Sequence, residues 1–431
     1  MEMPKIYVNP PRSEWPALTA RCTRQEEEIG ERVAAILAEV RTGGDAALRR
    51  IVRRIEGYLP ETFEVTRERR AEAAKAVSPQ LKAALAQAKA NIEAFHRAQL
   101  PAQVEVETMP GVRCVQRAVA IGRAGLYIPG GKAPLFSTVL MLALPARIAG
   151  CREVILCTPC GRDGRIAPEI LYAADLCGVD RVFALGGAQA VAAMAYGTES
   201  IPRVDKIFGP GNRYVTKAKQ LAGAADVAVD LPAGPSEVLV LADEDARPEF
   251  AAADLLSQAE HGDDSQAVLV CRSEEFARRT IASVGEQAAR LSRREAIGNS
   301  LANSRIVVFS DPDEQIAFAD AYAPEHLIVA MRDAWDAAAR ITAAGSVFIG
   351  GYSPESAGDY ASGTNHTLPT GGWARAYSGV NTESFMRKIT YQELTRGGLE
   401  ALAPTITAMA EAEGLDAHAN AVRIRTEGGA R

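Results

Sequence analysis

Histidine is scarce in this chain, and four of its five copies stand among carboxylates and amides. They are His261 in SQAEHGDDSQ, His326 in APEHL, His366 in SGTNH and His418 in LDAHAN, whereas His96 lacks such neighbours. Imidazole is a common metal ligand and a general base near neutral pH. Surface or core positions without chemistry would explain any one of these histidines, but they explain four together poorly. The pattern therefore predicts an enzyme with one metal ion and an acid–base pair.

A candidate metal site starts from Gln258 and His261, which are three residues apart on a predicted helix. Their side chains share one helix face and can approach the same ion. Asp359 and His418 would complete a set of two imidazole nitrogens and two oxygens, which suits Zn²⁺ and also Mn²⁺ or Co²⁺. A helix-surface amide is the simpler interpretation of Gln258 taken alone. Spacing alone does not establish that these segments meet.

A candidate acid–base pair is formed by Glu325 and His326, which follow Pro324. Adjacent residues on a regular strand point to opposite faces of the sheet. Both can serve one site only at a strand end or an irregular turn, and a proline favours such a turn. In that geometry His326 would accept the proton of a reacting hydroxyl and Glu325 would activate a water. A chance pair at the start of a strand remains the alternative.

Glycines cluster near several predicted strand ends, in YIPGGKAP, LGGAQA, FGPGNRY and PAGPSE. None of these segments contains G-x-G-x-x-G, so the common dinucleotide fingerprint is absent. Backbone N–H groups at helix amino termini can nevertheless bind phosphate groups. Gly186, Gly187 and Gly211 are the residues where a nucleotide could bind in this way.

The pattern of elements indicates an α/β protein. Helical spacing of apolar residues fills residues 25–98, and from about residue 113 short β-branched runs alternate with helical segments. A second alternating series runs from FAAADLLSQAEH to SVFIG. Such alternation is typical of βαβ units with parallel sheets. We therefore predict two α/β units in tandem with the site between them, and helices plus a tail from FMRKITYQEL to the end.

Composition limits the classes of function. The chain has 431 residues, of which 47% are hydrophobic and 24% are charged, and its formal net charge is -6. This is enough material for a large core in two or more domains. The mild charge and the lack of long basic runs give no footprint for nucleic acid. A small-molecule substrate is the expected partner.

The sequence predicts neither export from the cell nor insertion into a membrane. The start, MEMPKIYVNPPRSEW, lacks the pattern of a secretory signal, and VLMLALP is too short to span a bilayer, so it reads as a buried helix. We therefore expect a cytoplasmic protein with no membrane partner. The seven cysteines favour reduced thiols, and the CxxC pair Cys157 and Cys160 lacks the second pair that a structural zinc site needs.

The motifs resemble one family, histidinol dehydrogenase, over essentially the whole chain after the first two dozen residues. The resemblance is carried by ordered segments of this sequence: YIPGGKAPLFSTVLMLALPARIAGC, LGGAQAVAAMAYGTESIPRVDKIFGPGNRYV, LPAGPSEVLVLAD, LLSQAEHGDDSQ, YAPEHL, SPESAGDYASGTNHTLPTGG and EGLDAHANAV. It implies NAD-dependent oxidation of L-histidinol through L-histidinaldehyde to L-histidine, the last two oxidations of histidine biosynthesis. It also implies that Zn²⁺ positions the substrate.

The resemblance assigns roles residue by residue. His326 would be the general base in both oxidations, and Glu325 would activate the water that adds to the aldehyde. The implied zinc ligands are Gln258, His261, Asp359 and His418. The implied substrate-binding residues are Ser236, Gln258, His261, His326, Asp359, His366, Glu413 and His418. The implied NAD-binding residues are Tyr127, Gln189 and Asn212.

The resemblance also implies an architecture of two tandem, incomplete Rossmann-like α/β domains, a helical N-terminal region and small C-terminal helical and tail domains. We expect an N-terminal extension over 1–25 and a first α/β domain, with the metal and catalytic residues, over 26–126 and 236–380. The second α/β domain, on the NAD side, would cover 127–235. A helical region and tail over 381–431 would contribute Glu413 and His418 to the site of the partner in a homodimer.

Three other functions compete with this interpretation. A zinc hydrolase could use the same metal, glutamate and histidine. A dehydrogenase of another small amino alcohol would need only a different substrate pocket. The third alternative is a metal- or amino-acid-binding module that catalyses no reaction. The nucleotide positions Tyr127, Gln189 and Asn212 argue against a hydrolase, because hydrolysis does not require them.

Overall fold

We describe the protein from a computed structural model that covers residues 3–21, 27–57, 59–130, 134–161, 163–232 and 234–427. Cys22, parts of two glycine-rich segments (131–133 and 233) and the last residues of the tail (428–431) lie outside the described residues.

Strands and helices alternate along most of the described chain. The strands are β1 (Lys5–Val8), β2 (Glu64–Val65), β3 (Val104–Met109), β4 (Val112–Ala120), β5 (Arg123–Tyr127), β6 (Glu153–Thr158), β7 (Arg181–Ala184), β8 (Lys206–Phe208), β9 (Ala228–Val229), β10 (Glu237–Ala242), β11 (Gln266–Cys271), β12 (Arg305–Val308), β13 (His326–Ala330), β14 (Ser346–Ile349) and β15 (Met386–Leu394). The α-helices are α1 (Trp15–Leu18), α2 (Glu27–Glu56), α3 (Arg67–Lys75), α4 (Pro79–Ala98), α5 (Phe136–Ala149), α6 (Pro168–Leu176), α7 (Gly187–Tyr196), α8 (Arg213–Gly223), α9 (Pro248–Ala259), α10 (Glu274–Ala288), α11 (Arg294–Ala302), α12 (Pro312–Tyr322), α13 (Ala334–Ala338), α14 (Glu355–Tyr360), α15 (Arg396–Ala412) and α16 (Asp416–Thr426). Short 3₁₀ helices cover Arg12–Glu14, Trp373–Arg375 and Thr382–Phe385.

Two six-stranded sheets form the body of the protein. One, which we call the catalytic sheet, has the order β1-β12-β11-β10-β13-β14 and is parallel throughout. The other, which we call the nucleotide sheet after the predicted NAD-binding residues, has the order β2-β7-β6-β5-β8-β9 and is parallel except for β2. In each sheet, five successive strands follow a doubly wound order, with the first strand in the middle. This confirms the predicted α/β fold with two tandem parallel units.

Both sheets are covered by helices on their two faces. Apolar side chains of α4, α5 and α6 pack on one face of the nucleotide sheet, and those of α2, α7 and α8 pack on the other. The catalytic sheet is covered by α9, α10 and α11 on one face and by α1, α12 and α13 on the other. Burial on both faces explains why β10 and β11 are buried at every position. The apolar run VLMLALP lies within α5 and is buried, as predicted.

The packing of the N-terminal third differs from the predicted grouping of 26–126 with 236–380. The long apolar faces of α2 and α4 pack on the nucleotide sheet, within residues 27–98. The first residues are also more than an extension, because β1 pairs with β12 at the edge of the catalytic sheet. Trp15 then packs edge-on against Phe309 and Phe318 in the core. Residues 3–21 therefore belong structurally with the catalytic sheet.

A third, antiparallel sheet was missed by the sequence analysis, which predicted helices and a tail from residue 385 onward. β15 pairs with β4 over nine positions, from Met386 beside Ala120 to Leu394 beside Val112, and β3 pairs with the other edge of β4. The partner strand lies far away in sequence, so no local hairpin signal marks β15. This sheet carries the hairpin formed by α15 and α16, which pack on each other.

The amino ends of strands in the catalytic sheet lie opposite the carboxyl ends of strands in the nucleotide sheet. β10 and β13 are neighbours that begin at Glu237 and His326, so their amino ends lie side by side. Loops after the carboxyl ends of β8 and β9 reach the same space, since Gly209 and Asp230 line one cavity together with His326. Within the described ranges, no helix is long and apolar enough to cross a membrane.

Candidate active site

A cavity of about 160 Å³ lies where the two sheets face each other. The nucleotide sheet contributes the start of α5 and the loops after β8 and β9, and the catalytic sheet contributes the residues around the start of β13. Six of the residues predicted from sequence line this cavity: Ser236, His261, Glu325, His326, Asp359 and His366. They come from segments that are up to about 130 residues apart, so the fold brings together what sequence spacing left open.

Glu325 and His326 both face the cavity because the strand begins between them. Ala323 ends α12 with a φ of 50°, and β13 starts at His326. The peptide carbonyl of Glu325 accepts the N–H of Ser346, while its side chain turns towards β10. There Glu325 Oε2 accepts the backbone N–H of Glu237 at 2.9 Å. This is the strand-end geometry that the sequence analysis required for a shared site.

The imidazole of His326 is buried among carboxylates. Its Nδ1 lies 3.3 Å from the carbonyl oxygen of Glu237, 3.7 Å from Glu325 Oε2 and 3.8 Å from Glu355 Oε1. Its Nε2 lies 3.5 Å from Asp359 Oδ1. Burial alone would lower the pKa of His326, but the charges of Glu355, Glu325 and Asp359 raise it to about 10. A cation bound at Asp359 would lower the pKa of His326, so that the ring would be unprotonated, as a general base must be, closer to neutral pH.

Burial raises the pKa of Glu355, one of the two buried glutamates beside His326. Burial raises the pKa of Glu325 to about 8, and the charge of His326 opposes that rise. Asp359 differs: burial favours its neutral form, but the hydrogen bond and charge of His326, with two further imidazoles, hold its pKa below the usual range. Asp359 is therefore the carboxylate of the cluster that remains charged and is suited to hold a cation.

Residues that could hold a metal ion meet on one side of His326. Ligand atoms of His261, Asp359 and Glu355 all lie within 4.8 Å of one another. Gln258 is fully buried, and neither its amide oxygen nor its amide nitrogen has a hydrogen-bond partner. A buried amide without a partner is costly, and a cation accepted by its oxygen would remove that cost. The donor set of nitrogen and oxygen atoms thus fits Zn²⁺, Mn²⁺ or Co²⁺.

The local structure around this donor set differs in one detail from the prediction. Helix α9 ends at Ala259, so His261 follows the helix in a turn and is not on its surface. The N–H of His261 is donated to the carbonyl of Gln258, which keeps the two residues close. A turn of this kind still lets both side chains approach one ion.

His418 and Glu413 are not brought to the cavity within one chain. Glu413 follows α15 and His418 lies on α16, and both are exposed on the hairpin. A single chain therefore supplies three of the four predicted zinc ligands.

His366 faces the cavity from the other side. Its Nδ1 lies 2.9 Å from the carbonyl oxygen of Asp359, and its Nε2 lies 3.3 Å from the hydroxyl of Thr138. Burial lowers the pKa of His366, so the ring is neutral near pH 7. Because the backbone carbonyl accepts a proton from Nδ1, Nε2 is left as an acceptor towards Thr138 or a bound ligand.

The predicted nucleotide residues lie at the carboxyl ends of the nucleotide sheet. Tyr127 ends β5, and its hydroxyl accepts the N–H of Gly187 at 3.1 Å. Gln189 is buried in α7 and donates to Glu56 Oε1 at 3.0 Å. Asn212 is exposed and caps the start of α8. The strand order reverses between β5 and β8, and this is where open α/β sheets bind nucleotides.

His96, Cys157 and Cys160, whose roles the sequence left open, lie outside the cavity. His96 is fully buried, with Nδ1 2.9 Å from the carbonyl of Ile92 and Nε2 3.3 Å from Asn365 Nδ2. Cys157 and Cys160 are free thiols, and burial raises the pKa of both. Neither group lies in the cavity described above.

Three functional neighbours were missed by the sequence analysis. Glu355 lies four residues before Asp359, and this helical spacing in ESAGD could have indicated it. Glu237 supports both Glu325 and His326, and Arg21 binds its carboxylate at 2.7 and 2.8 Å. The guanidinium of Arg21 also lies 3.6 Å from the ring centroid of Tyr322. No local pattern predicts a pair that is 216 residues apart.

Two doubly wound sheets with a buried acid–base cluster between them define an α/β enzyme. A family model described as Histidinol dehydrogenase matches residues 19–426. The chain is 54% identical over 427 residues to histidinol dehydrogenase from Bacteroides fragilis strain YCH46, covering 98% of this chain and 99% of that protein. It is 55% identical over 396 residues to histidinol dehydrogenase from Xylella fastidiosa strain 9a5c, covering 92% of each.

A solved structure agrees with these relatives. The crystal structure of histidinol dehydrogenase from Elizabethkingia anophelis superimposes with a TM-score of 0.97 at 47% identity, covering 99% of each chain. The chain therefore belongs to the histidinol dehydrogenase family and is an oxidoreductase.

Proposed function

We propose that this protein oxidises L-histidinol through L-histidinaldehyde to L-histidine, the last two oxidations of histidine biosynthesis, with NAD as the hydride acceptor. Family membership over residues 19–426 supports the substrate. The observation that carries the chemistry is the cavity shared by Glu325, His326 and Asp359, which joins a base, a second carboxyl group and a cation-binding carboxylate.

The substrate is itself an amine that carries an imidazole, and the cavity offers partners for both groups. Ser236 and His366 line the cavity, and we assign them to substrate binding together with Gln258, His261, His326 and Asp359 of the same chain. His366 Nε2, held near the Thr138 hydroxyl, can accept a hydrogen bond from a ligand N–H. Fixing both ends of a small substrate supplies the orientation that hydride transfer needs.

In the first oxidation, we assign His326 as the base that removes the hydroxyl proton while the carbinol hydride moves to NAD. This yields the aldehyde and NADH. In the second, Glu325 accepts a proton from the water that adds to the aldehyde carbon, and the protonated His326 returns its proton to the carbonyl oxygen, which gives the hydrated aldehyde and leaves His326 unprotonated. His326 then removes a hydroxyl proton of that hydrate as its hydride moves to a second NAD, and the carboxylic acid is formed.

Zn²⁺ is the proposed metal, held by Gln258, His261 and Asp359 of one chain and His418 of its partner. When bound, the ion supplies a positive charge that positions the substrate and stabilises a developing alkoxide. The orphaned amide of Gln258 and the low pKa of Asp359 support this assignment.

NAD binding is assigned to Tyr127, Gln189 and Asn212. Their place near the reversal of strand order supports this, because open α/β sheets bind nucleotides there, at the amino termini of the following helices. The loop after β8 joins this region to the cavity, since Gly209 and Pro210 line it. A nicotinamide ring could thus reach the substrate from the nucleotide sheet.

A homodimer with shared sites is the proposed assembly. Glu413 and His418 are exposed on the α15–α16 hairpin, which stands on the antiparallel sheet. We assign these two residues to the partner's cavity, where Glu413 would bind substrate and His418 the metal. The family relationship favours neither a zinc hydrolase, nor a dehydrogenase of another amino alcohol, nor a binding module without catalysis.

The experiment is direct. Metal-replete protein is mixed with L-histidinol and NAD, and NADH is followed by absorbance while L-histidine is measured by chromatography. We expect two NADH per histidine formed. Protein that produces no NADH under these conditions, although folded and metal-replete, would rule out the proposed function.

A further inference from the structure

Glu355 is a buried carboxylate that the proposed mechanism does not use. It is the first residue of α14 and is 1% exposed. Neither of its carboxylate oxygens has a hydrogen-bond partner. The neighbouring cationic group is the His326 ring, whose Nδ1 lies 3.8 Å from Oε1, beyond hydrogen-bond length. The charged form of a carboxyl group that is buried without hydrogen bonds is unfavourable, so such a group is either protonated or has a cation beside it.

The geometry around Glu355 is that of a metal ligand. Glu355 and Asp359 are four residues apart on α14, so their side chains project from one face. Their oxygens and a ring nitrogen of His261 all lie within 4.8 Å of one another. Ligand atoms of a tetrahedral zinc ion are about 3.3 Å apart, given bonds of about 2.0 to 2.1 Å. Small side-chain rotations would therefore close the set around an ion.

We propose that Glu355 is a metal ligand of the single chain, which holds the ion with His261, Asp359 and the amide oxygen of Gln258 before a partner supplies His418. This inference rests on the proposed function only in that both place one ion at the same cluster. It accounts for two groups at once, because the Gln258 amide and the Glu355 carboxylate are both buried without partners.

The charges of the proposed ligands favour this arrangement in a single chain. Two carboxylates neutralise a divalent ion, and a neutral site suits a buried position in a chain that has not yet assembled. When His418 replaces Glu355, one negative charge leaves the ion and the site becomes a stronger electrophile. The released carboxylate is then free to pair with the His326 ring beside it. Metal loading would thus precede subunit assembly.

The test measures metal affinity on apo protein by competition of Zn²⁺ with a chromophoric chelator. His418→Ala removes the ligand of the assembled site, and we expect this variant to bind one ion per chain. Adding Glu355→Gln should weaken its affinity by about 10- to 100-fold. Glu355→Gln alone, with His418 present, should change the affinity much less.

The matched control is Glu295→Gln in the His418→Ala background. Glu295 is an exposed glutamate in the first turn of α11, and its loss should leave metal affinity unchanged. Equal affinities of His418→Ala with and without Glu355→Gln would overturn the proposal, as would a His418→Ala chain that binds no ion.

Two further measurements keep the outcome clear. If the double variant does not fold by circular dichroism, Glu355→Asp replaces it, and its shorter carboxylate should give a lower affinity than His418→Ala alone. An affinity equal to that of His418→Ala would contradict a direct ligand. Metal binding is measured without substrate, so failure of the histidinol assay leaves this result readable, and the reverse also holds.

Discussion

His326 owes its character to residues that reach it from three different elements. Glu325 precedes it in the chain, Glu237 begins the neighbouring strand, and Asp359 and Glu355 come from one face of α14. The shared role of Glu325 and His326 could be predicted from their position after Pro324. The contribution of α14 could not, because its approach to β13 depends on tertiary packing. At this scale, residue types indicate the reaction, and the fold decides their charge states.

The division of labour between the two catalytic residues leads to a first prediction. Glu325→Gln should slow the oxidation of histidinaldehyde by about 10²- to 10⁴-fold, because an amide cannot accept a proton from water. It should slow the oxidation of histidinol much less. His326→Ala should slow both. Stopped-flow measurement of NADH from each substrate separates the two steps, and equal losses for Glu325→Gln in both steps would contradict the assignment.

The buried His96 leads to a prediction on pH and stability. Burial lowers the pKa of His96 below the usual histidine value of 6.5, so the unfolded chain binds a proton more readily than the folded one. Its contribution to stability is present above pH 6.5 and is lost as the pH falls through the folded pKa. The free energy of unfolding should thus fall less steeply below pH 6.5 in His96→Gln than in the unchanged protein.

Urea unfolding at a series of pH values measures this difference. Measurements above pH 6.5 provide the control, because the difference between the two proteins should not change with pH in that range. A His96→Gln protein with an unchanged slope would show that another group controls the acid transition.

The elements that hold the site are tied together by contacts that span the chain. The α/β alternation and the buried α5 were predictable because hydrophobic periodicity is local. β15 and the Arg21–Glu237 pair were not, because their partners lie hundreds of residues away. The predicted grouping of α2 and α4 with the catalytic sheet failed for the same reason. An apolar helix face shows that it will be covered but not by which sheet.

The Arg21–Glu237 pair leads to a prediction at this scale. The side chains of Arg21 and Glu237 are 14% and 1% exposed, so Arg21→Ala would leave a buried carboxylate without its cation. We expect a loss of about 3 to 5 kcal/mol in the free energy of unfolding. The exposed pair of Arg12 and Glu314 is the control, and Arg12→Ala should lower the free energy of unfolding much less. Equal losses in the two variants, measured with urea, would contradict this account.

Gly209 leads to a second prediction about the elements. It has a φ of 122°, which favours glycine, and an added Cβ would collide with the carbonyl oxygen of Tyr127. Its N–H is donated to Asp230, and its carbonyl accepts from Lys219 at 2.8 Å. Gly209→Ala should therefore displace the loop between β8 and α8 and weaken NAD binding.

Calorimetry with NAD checks this prediction. We expect at least a tenfold rise in the Kd for NAD, corresponding to about 1.4 kcal/mol, if the strain of about 1 to 3 kcal/mol is relieved by loop movement. Gly397→Ala is the matched control, because nothing lies within 4 Å of a Cβ added there. An unchanged Kd in folded Gly209→Ala would argue against a role of this loop in NAD binding.

At the scale of the whole molecule, the proposed site is divided between two places in one chain. The cavity is lined by His326, His261 and Asp359, whereas Glu413 and His418 are exposed on the hairpin, where we assign them to the partner's site. If sites are shared, a heterodimer of His418→Ala and Gln258→Ala chains has one intact site. Random exchange should then restore about one quarter of the unchanged activity. Absence of recovery after subunit exchange, confirmed by native mass spectrometry, would argue against sharing.

The edge strand β1 has a consequence for biosynthesis of the chain. It is made first, but its partner β12 begins 300 residues later, at Arg305. The nucleotide sheet, by contrast, has all its strands once residue 229 has left the ribosome. We expect the nucleotide sheet to resist protease on a stalled nascent chain of about that length, while residues 3–21 stay cleavable until β12 emerges. The segment from residue 3 to 21 would thus be among the first to be synthesised but could dock only after β12.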